Sequence, residues 1–277
     1  MLTKQQIQAL LRACQSDSNS RPASKTAQAL AASLGFGRIV GKQWLIADSD
    51  RERIRAYLIN VEGVDPTTSP EAWQGRTRIE VAELGKNEKL AGKRPRDDRL
   101  ALRGPAGLRW GEALISLPAQ AFLDIPLTEA ASLRHDCVVV VENFEAFIRY
   151  EDAAITIPFS QPLIVFRGDS INTTDTMLEF LHTSKMPVIS WPDLDAAGLL
   201  YASSLPRFAG IIGPQNPQEC LTHHGRDDLY LSQLRELNAL RLQGKSIALE
   251  KAIRETRKGL DQERMISARI PLICWMI

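Results

Sequence analysis

From about residue 108 the chain alternates continuous apolar runs with amphipathic stretches. CVVVVEN (from Cys137), PLIVFRGD (from Pro162), MPVISWPDLD (from Met186) and RFAGIIGP (from Arg207) each carry a compact, largely β-branched or aromatic run. Such runs suit strands buried on both faces. Between them, NFEAFIRYEDA, TTDTMLEFLHTS and AAGLLYASSL space their apolar residues for helices. RWGEALISLP reads as a further strand and LTEAASL as a short helix, with two helices expected over 228–243 and 246–266. Repeated βα units predict an α/β fold, a Rossmann-like parallel sheet with helices on both faces.

The first part of the chain has a different rhythm. Leu2, Ile7, Leu10, Leu11 and Cys14 fall at helical spacing, and the polar stretch SDSNSRPAS follows as a loop. Ser24 is placed to cap a second helix, KTAQALAASLG, that stops at Gly35. FGRIVGKQWLIAD predicts two short strands around Gly41, and DRERIRAYLINVEG a third helix. Helix, helix, hairpin, helix is the order of a winged-helix-like α+β module over residues 1–64; a generic helical cap would give the same pattern. Residues 65–75, DPTTSPEAWQG, read as a linker. A basic stretch follows, with Lys86, Lys89, Lys93, Arg94, Arg96, Arg99, Arg103 and Arg109, and little apolar periodicity. It is read as an exposed arm, with Lys86, Lys89, Lys93, Arg94, Arg96 and Arg99 as candidate DNA-backbone contacts and a solvated loop as the alternative. The expected organisation is therefore 1–64, a linker and basic arm over 65–128, and the α/β domain over 129–277.

Composition narrows the classes. With 44% hydrophobic and 24% charged residues the chain is an ordinary globular protein, not a disordered or fibrous one. No apolar run approaches the roughly 20 residues of a membrane span, and the polar start MLTKQQIQALLRACQ lacks an apolar leader core; a cytoplasmic protein is expected. Cys14, Cys137, Cys220 and Cys274 are scattered, which argues against a structural zinc site. Charge is divided: residues 1–110 hold 19 Lys and Arg against 12 Asp and Glu, the remainder 15 against 21. A basic half suits a phosphate backbone and an acidic half suits carboxylates around a cation.

The chemistry lies at the strand ends, where open parallel sheets bind ligands. Glu142 directly follows Val138–Val141, and Asp193 and Asp195 follow Val188–Trp191. Carboxylates gathered on adjacent strands repel one another unless a proton or cation neutralises them. Oxygen ligands favour Mg²⁺ or Mn²⁺, which can activate water for phosphodiester hydrolysis. Asp193 and Asp195 are expected to share a metal, and Gly198 to let the next helix approach the sheet closely. Acids that merely cap helices are the structural alternative.

Glu at one strand end and Asp-x-Asp on a later strand resembles the Toprim domain of topoisomerases, primases and some nucleases. More narrowly, VVVVENFEAF, SWPDLDAAGLLYA and the late KGLDQERM are similar to the JetD/MksG group, the Toprim subunits of Wadjet-type SMC defence systems, distantly related to topoisomerase VI. The matching positions are Glu142, Asn143, Asp193, Asp195, Gly198, Gln262 and Glu263, over about residues 135–270. Pro192 stands where the group has Gly, and Asp261 where it has Glu. The resemblance implies a DNA endonuclease that cleaves plasmid DNA once an SMC ATPase–kleisin complex engages it, working as a homodimer because a duplex has two strands. It gives Glu142 the role of general acid/base or metal ligand, Asp193 and Asp195 those of metal ligands, and Glu263 a further acidic contribution. Glu145, one turn beyond Glu142, is either a further ligand or a solvated helix position.

Other residues are read as structural. Tyr57 shares apolar spacing with Ile54 and Leu58, so core packing is preferred over a tyrosyl nucleophile, and Tyr201 is read as helix packing. His223-His224 is read as a polar loop. A receiver-type phosphoacceptor would need paired acids directly after the first strand, and a haloacid-dehalogenase-type phosphatase an Asp-x-Asp on that strand. A non-catalytic DNA-binding or assembly subunit remains the alternative from another class.

Overall fold

The computed structural model describes residues 2–86, 90–92, 96–105, 107–169 and 173–277. The chain forms two compact units, Met1–Pro95 and Arg96–Ile277.

In the first unit the order is α1 (Lys4–Cys14), β1 (Ser20–Pro22), α2 (Lys25–Leu34), β2 (Arg38–Val40), β3 (Gln43–Leu45), α3 (Asp48–Tyr57) and, after a π-helical turn, α4 (Arg78–Ala82). Thr3 and Gln6 form a reciprocal capping box on α1, and Ser24 caps α2 by accepting from the Ala27 N–H at 3.1 Å. Gly35 ends α2 at φ +65°, a left-handed conformation that glycine adopts freely because it has no Cβ to clash. Strand β1, within the polar stretch that the sequence pattern predicts as a loop, pairs antiparallel with β3 in a sheet of order β1-β3-β2. Tyr57 packs edge-on against Phe36, its ring centroid 5.4 Å away, beside the core of Ile7, Leu11, Leu30, Trp44 and Ile54. Residues 65–75 are not a free linker: Trp73 is fully buried in that same core, because an indole offers more apolar surface than a surface loop can leave in water.

The basic stretch differs from the expected arm. Lys86 is exposed, whereas Lys89, Lys93 and Arg94 lie outside the described residues. Arg96 and Arg99 both pair with Asp124, at 3.1 and 2.7 Å, and Arg99–Arg103 is a strand, β4. Leu100, Ala101 and Leu102 carry β4 into the second core, and Arg103 is 2% exposed. Arg103 donates to the carbonyls of Phe147 and Ile148 and pairs with Glu151 at 2.5 Å. The positive charge of this stretch is thus partly consumed by internal acceptors, which a count of charges cannot reveal.

The second unit continues with β5 (Leu108–Trp110), β6 (Ala113–Ile115), β7 (Leu123–Pro126), α5 (Leu127–Ala130), β8 (Leu133–Arg134), β9 (Cys137–Val141), α6 (Phe144–Ile148), β10 (Ile155–Thr156), β11 (Pro162–Phe166), α7 (Thr174–Thr183), β12 (Val188–Trp191), α8 (Ala196–Ser203) and β13 (Phe208–Pro214). It then runs through α9 (Pro217–His224), α10 (Asp227–Leu231), α11 (Leu234–Ala239), α12 (Ile247–Thr256), α13 (Gln262–Ser267) and β14 (Leu272–Met276). The result is a mixed eight-stranded sheet of order β10-β14-β13-β12-β9-β11-β4-β7. Its centre, β13-β12-β9-β11, is parallel as expected; β14 and β4 join it antiparallel on either side.

The four valines of β9 serve two cores. Val139 and Val141 pack with Phe147, Trp191, Leu199 and Ile253, while Val138 and Val140 pack with Met177, Phe180 and Leu181 of α7. Burial on both faces explains why the strand is apolar without alternation. Two expectations are corrected here. RWGEALISLP folds as two short strands joined by a turn at Gly111 (φ +59°). The helices expected over 228–243 and 246–266 are each broken in two, and strand β14 follows them. Among the described residues no helix is long and apolar enough to cross a membrane.

Candidate functional site at the strand ends

β9 and β12 are neighbours in register, Val141 opposite Trp191, although β11 and α7 separate them in sequence. Such a reversal of strand order opens a crevice at the carboxyl ends. Glu142 and Asp193 stand there. The Glu142 N–H donates to the Trp191 carbonyl at 3.2 Å, and the Asp193 N–H donates to Glu142 Oε2 at 3.1 Å. On the far side of β9, the Arg167 N–H donates to the Val141 carbonyl, and Arg167 Nη1 pairs with Glu142 Oε1 at 2.5 Å.

The late motif KGLDQERM folds back onto this turn. Leu194 and Leu260 exchange two backbone hydrogen bonds, of 2.8 and 3.0 Å. The Gln262 N–H donates to Asp193 Oδ1 at 2.8 Å, its Nε2 donates to the Trp191 carbonyl at 2.8 Å, and its Oε1 accepts from the Asn143 N–H at 2.8 Å. Gln262 has no exposed surface, so three bonds from one buried amide residue tie both strand ends together. Gly259 allows this approach: a Cβ there would stand 3.0 Å from Asp195 Cβ. Asn143 caps α6 by accepting from the Glu145 and Ala146 N–H groups, and its amide donates to Glu263 at 2.6 Å.

Asp195 has a different position from its partner acid. It is 5% exposed and caps α8, Oδ1 accepting from the Gly198 N–H at 2.7 Å and Oδ2 from Gln233 Nε2 at 2.7 Å. Gly198 is needed in the first turn of that helix, since a Cβ would lie 2.5 Å from the Asp193 carbonyl oxygen; the close approach is to this turn. The structure therefore joins Glu142 and Asp193, keeps Asp195 beside them as a satisfied cap, and sets Glu263 on the adjoining cleft. Glu145 is exposed and pairs with Arg149 at 3.5 Å, and His223 and His224 end α9 instead of forming a loop.

Electrostatics single out Asp193. Burial pushes its carboxyl up to about 7; the Gln262 N–H pulls the other way, and the nearby Glu142, Asp195 and Asp261 push it further up. Its side opens on a cleft of about 1000 Å³ lined by Asn143, Arg226, Asp261, Glu263 and Arg264 among others. Arg226 is already engaged, by Asp261 at 2.8 Å and Asp228 at 2.7 Å.

A surplus of clustered carboxylate oxygens fits a hard divalent cation, and Mg²⁺ takes one or two carboxylates plus water. Among the described residues no group of three or more His, Cys, Asp and Glu side chains is arranged to hold a metal. The donors that fit are Asp193, which among the described residues accepts through Oδ1 alone, and Glu142 beside it; both Glu142 oxygens, like both Asp195 oxygens, already accept from protein groups, so Glu142 would offer a cation a remaining lone pair. Sequence reasoning passed over Arg167, Gln233 and Arg226. Arg167 had a visible signal, since it occupies after PLIVF the place that Glu142 occupies after CVVVV.

Fold and site together define a mixed α/β protein with an acidic crevice at its parallel strand ends. A family described as Domain of unknown function (DUF7281) matches residues 101–274, well over half of the chain, and the protein belongs to that family. No curated protein matches it.

Proposed function

We propose that the protein is a Toprim-type, Mg²⁺- or Mn²⁺-dependent DNA endonuclease, working as the nuclease subunit of an SMC-type anti-plasmid complex of the JetD/MksG kind. The observation that carries the reading is the pairing of Glu142 and Asp193 at adjacent strand ends, where burial first and the neighbouring acids second disfavour the bare Asp193 carboxylate. Packing of KGLDQERM against the Asp-Leu-Asp turn supports it too, because both motifs carried the resemblance.

In this reading Glu142 and Asp193 hold the metal, which when bound polarises a phosphoryl oxygen and acidifies a water. Glu142 is oriented by Arg167 on one oxygen and the Asp193 N–H on the other, and would meet a metal through a remaining lone pair. Asp195 fixes the start of α8 and thereby the turn that carries Asp193. Gln262 keeps the two strand ends at one spacing. Glu263 and Asn143 border the cleft, where Glu263 adds negative charge. The first unit is proposed as the winged-helix-like DNA-binding module, with Lys86 among its exposed cations. An SMC ATPase–kleisin complex as activator, a homodimer and a cytoplasmic site of action belong to the same proposal.

The test is nicking of supercoiled plasmid with Mg²⁺ or Mn²⁺ by wild type, Glu142→Ala and Asp193→Ala. Removal of a metal ligand or general base is expected to lower the rate by at least ~100-fold. Equal nicking by wild type and both variants would assign the cutting to a contaminant and sink the reading. The commitment of both Asp195 oxygens favours a second reading, a DNA-binding assembly subunit. Tight DNA binding, with no nicking even when the SMC partners are present, would establish it.

A further inference from the structure

Arg167 is the charged group of the crevice that has no structural task proportionate to its setting. It directly follows β11, on the opposite side of Glu142 from Asp193, because β11 and β12 flank β9. Its Nη1 pairs with Glu142 Oε1 at 2.5 Å, and its guanidinium carbon lies 5.2 Å from the centroid of the Tyr201 ring. An ion pair on one edge and an aromatic face below hold the planar group in one orientation. Only one of its side-chain N–H donors has an acceptor among the described residues, although a guanidinium carries five. The side chain is 31% exposed, so the spare donors have access to solvent beside Glu142.

A pair whose only task was to neutralise Glu142 would gain nothing from the stacking ring or the unfilled fork. A fork held rigid with its donors free matches the non-bridging oxygens of a phosphodiester, which accept two parallel N–H bonds. Acids on one side and a guanidinium on the other also complement a substrate carrying negative charge next to a bound cation. We propose that Arg167 is a phosphate-binding residue of the crevice, gripping the DNA backbone beside Glu142 while Tyr201 supports it from below; the inference rests on the endonuclease reading. Tyr201 acts here through its ring. Its hydroxyl is buried without a hydrogen-bond partner among the described residues, so the face and not the oxygen supports Arg167.

The experiment measures two affinities of the full chain. One is for Mn²⁺ by calorimetry; the other is for a short fluorescein-labelled DNA duplex over a series of salt concentrations, with Ca²⁺ replacing the active metal. Arg167→Ala is expected to lose about tenfold in DNA affinity and to flatten the plot of log affinity against log salt by about one phosphate contact. Arg167→Lys recovers the salt slope but only part of the affinity, because an ammonium keeps the charge and loses the fork. Tyr201→Leu weakens DNA binding and Tyr201→Phe does not. An Arg167→Ala protein of native circular dichroism with wild-type DNA affinity and salt slope overturns the inference. A wild type that binds DNA but no Mn²⁺ sinks the endonuclease reading instead, and the Arg167 comparison still decides whether the residue grips phosphate.

Discussion

Gln262 shows how one buried amide residue can matter more to the crevice than a charged one. Its side chain joins the carbonyl after β12 to the N–H after β9, and its own N–H holds Asp193. Gln262→Ala takes the acceptor from the part-buried Asn143 N–H and leaves the Trp191 carbonyl with the Glu142 N–H alone, at about 1–3 kcal/mol in all. Urea unfolding should report the loss, and an unchanged midpoint would show that water replaces the amide. His135 makes a second prediction at this scale. Burial holds its imidazole below the ordinary value for histidine, against the opposing pull of the Leu133 carbonyl and Asp136. The unfolded chain therefore binds the extra proton first, and stability falls as pH drops below about 6.5 and on toward the lowered folded value. His135→Gln should flatten that fall; stability curves of wild type and variant that stay parallel between about pH 5 and about pH 7.5 would remove His135 as its source.

At the scale of elements, two junctions do the positioning. The first turn of α8 lies against the Asp193 carbonyl, where a Cβ on residue 198 would reach 2.5 Å. Gly198→Ala must push α8 away or distort the turn, at a cost of about 1–3 kcal/mol. It should also lower Mn²⁺ affinity in calorimetry if Asp193 is a ligand, and an unaltered thermal midpoint would contradict the clash. Arg103 supplies the other junction, where β4 meets the end of α6. Arg103→Ala strips the last-turn carbonyls of Phe147 and Ile148 of a charged donor and should destabilise by about 1–3 kcal/mol, the Glu151 share being small because that carboxylate is 42% exposed.

These junctions mark what the sequence could and could not convey. The central strands were legible since apolar β-branched runs have few other uses, and so was the placing of Glu142 and Asp193 at neighbouring strand ends, because each closely follows such a run. Strands β4 and β14 were not: a short antiparallel strand flanked by arginines and a short strand after two broken helices leave only weak local patterns. Nor was the capping role of Asp195 distinguishable from ligation, as both use a carboxylate just before a helix. Arg103 read as one more exposed cation because its partner, Glu151, is remote in sequence.

On the scale of the molecule, each compact unit has its own core, one around Ile7, Trp44 and Trp73, the other built on both faces of β9. Residues 96–277 expressed without the first unit are accordingly expected to unfold cooperatively and to retain the Asp193 environment. A molten spectrum or an uncooperative transition would show that the second core depends on the first. If the proposed division of labour holds, that fragment binds Mn²⁺ like the full chain but binds DNA more weakly.

Strand β14 has a consequence for synthesis. It lies inside the sheet, between β10 and β13, yet it is made well after either neighbour. While the ribosome is still reading the codons for α9 to α13, β13 has no partner on one flank and presents an open edge of the kind that recruits other chains. Gln262, which steadies the acid turn, is translated in the same late interval. A nascent chain stalled before residue 260 should therefore be sticky and hold no formed acid turn, whereas one extended past 276 should be neither. For a protein proposed to cut DNA, such an order of birth would keep the blade unassembled until its sheath, the finished sheet, is in place.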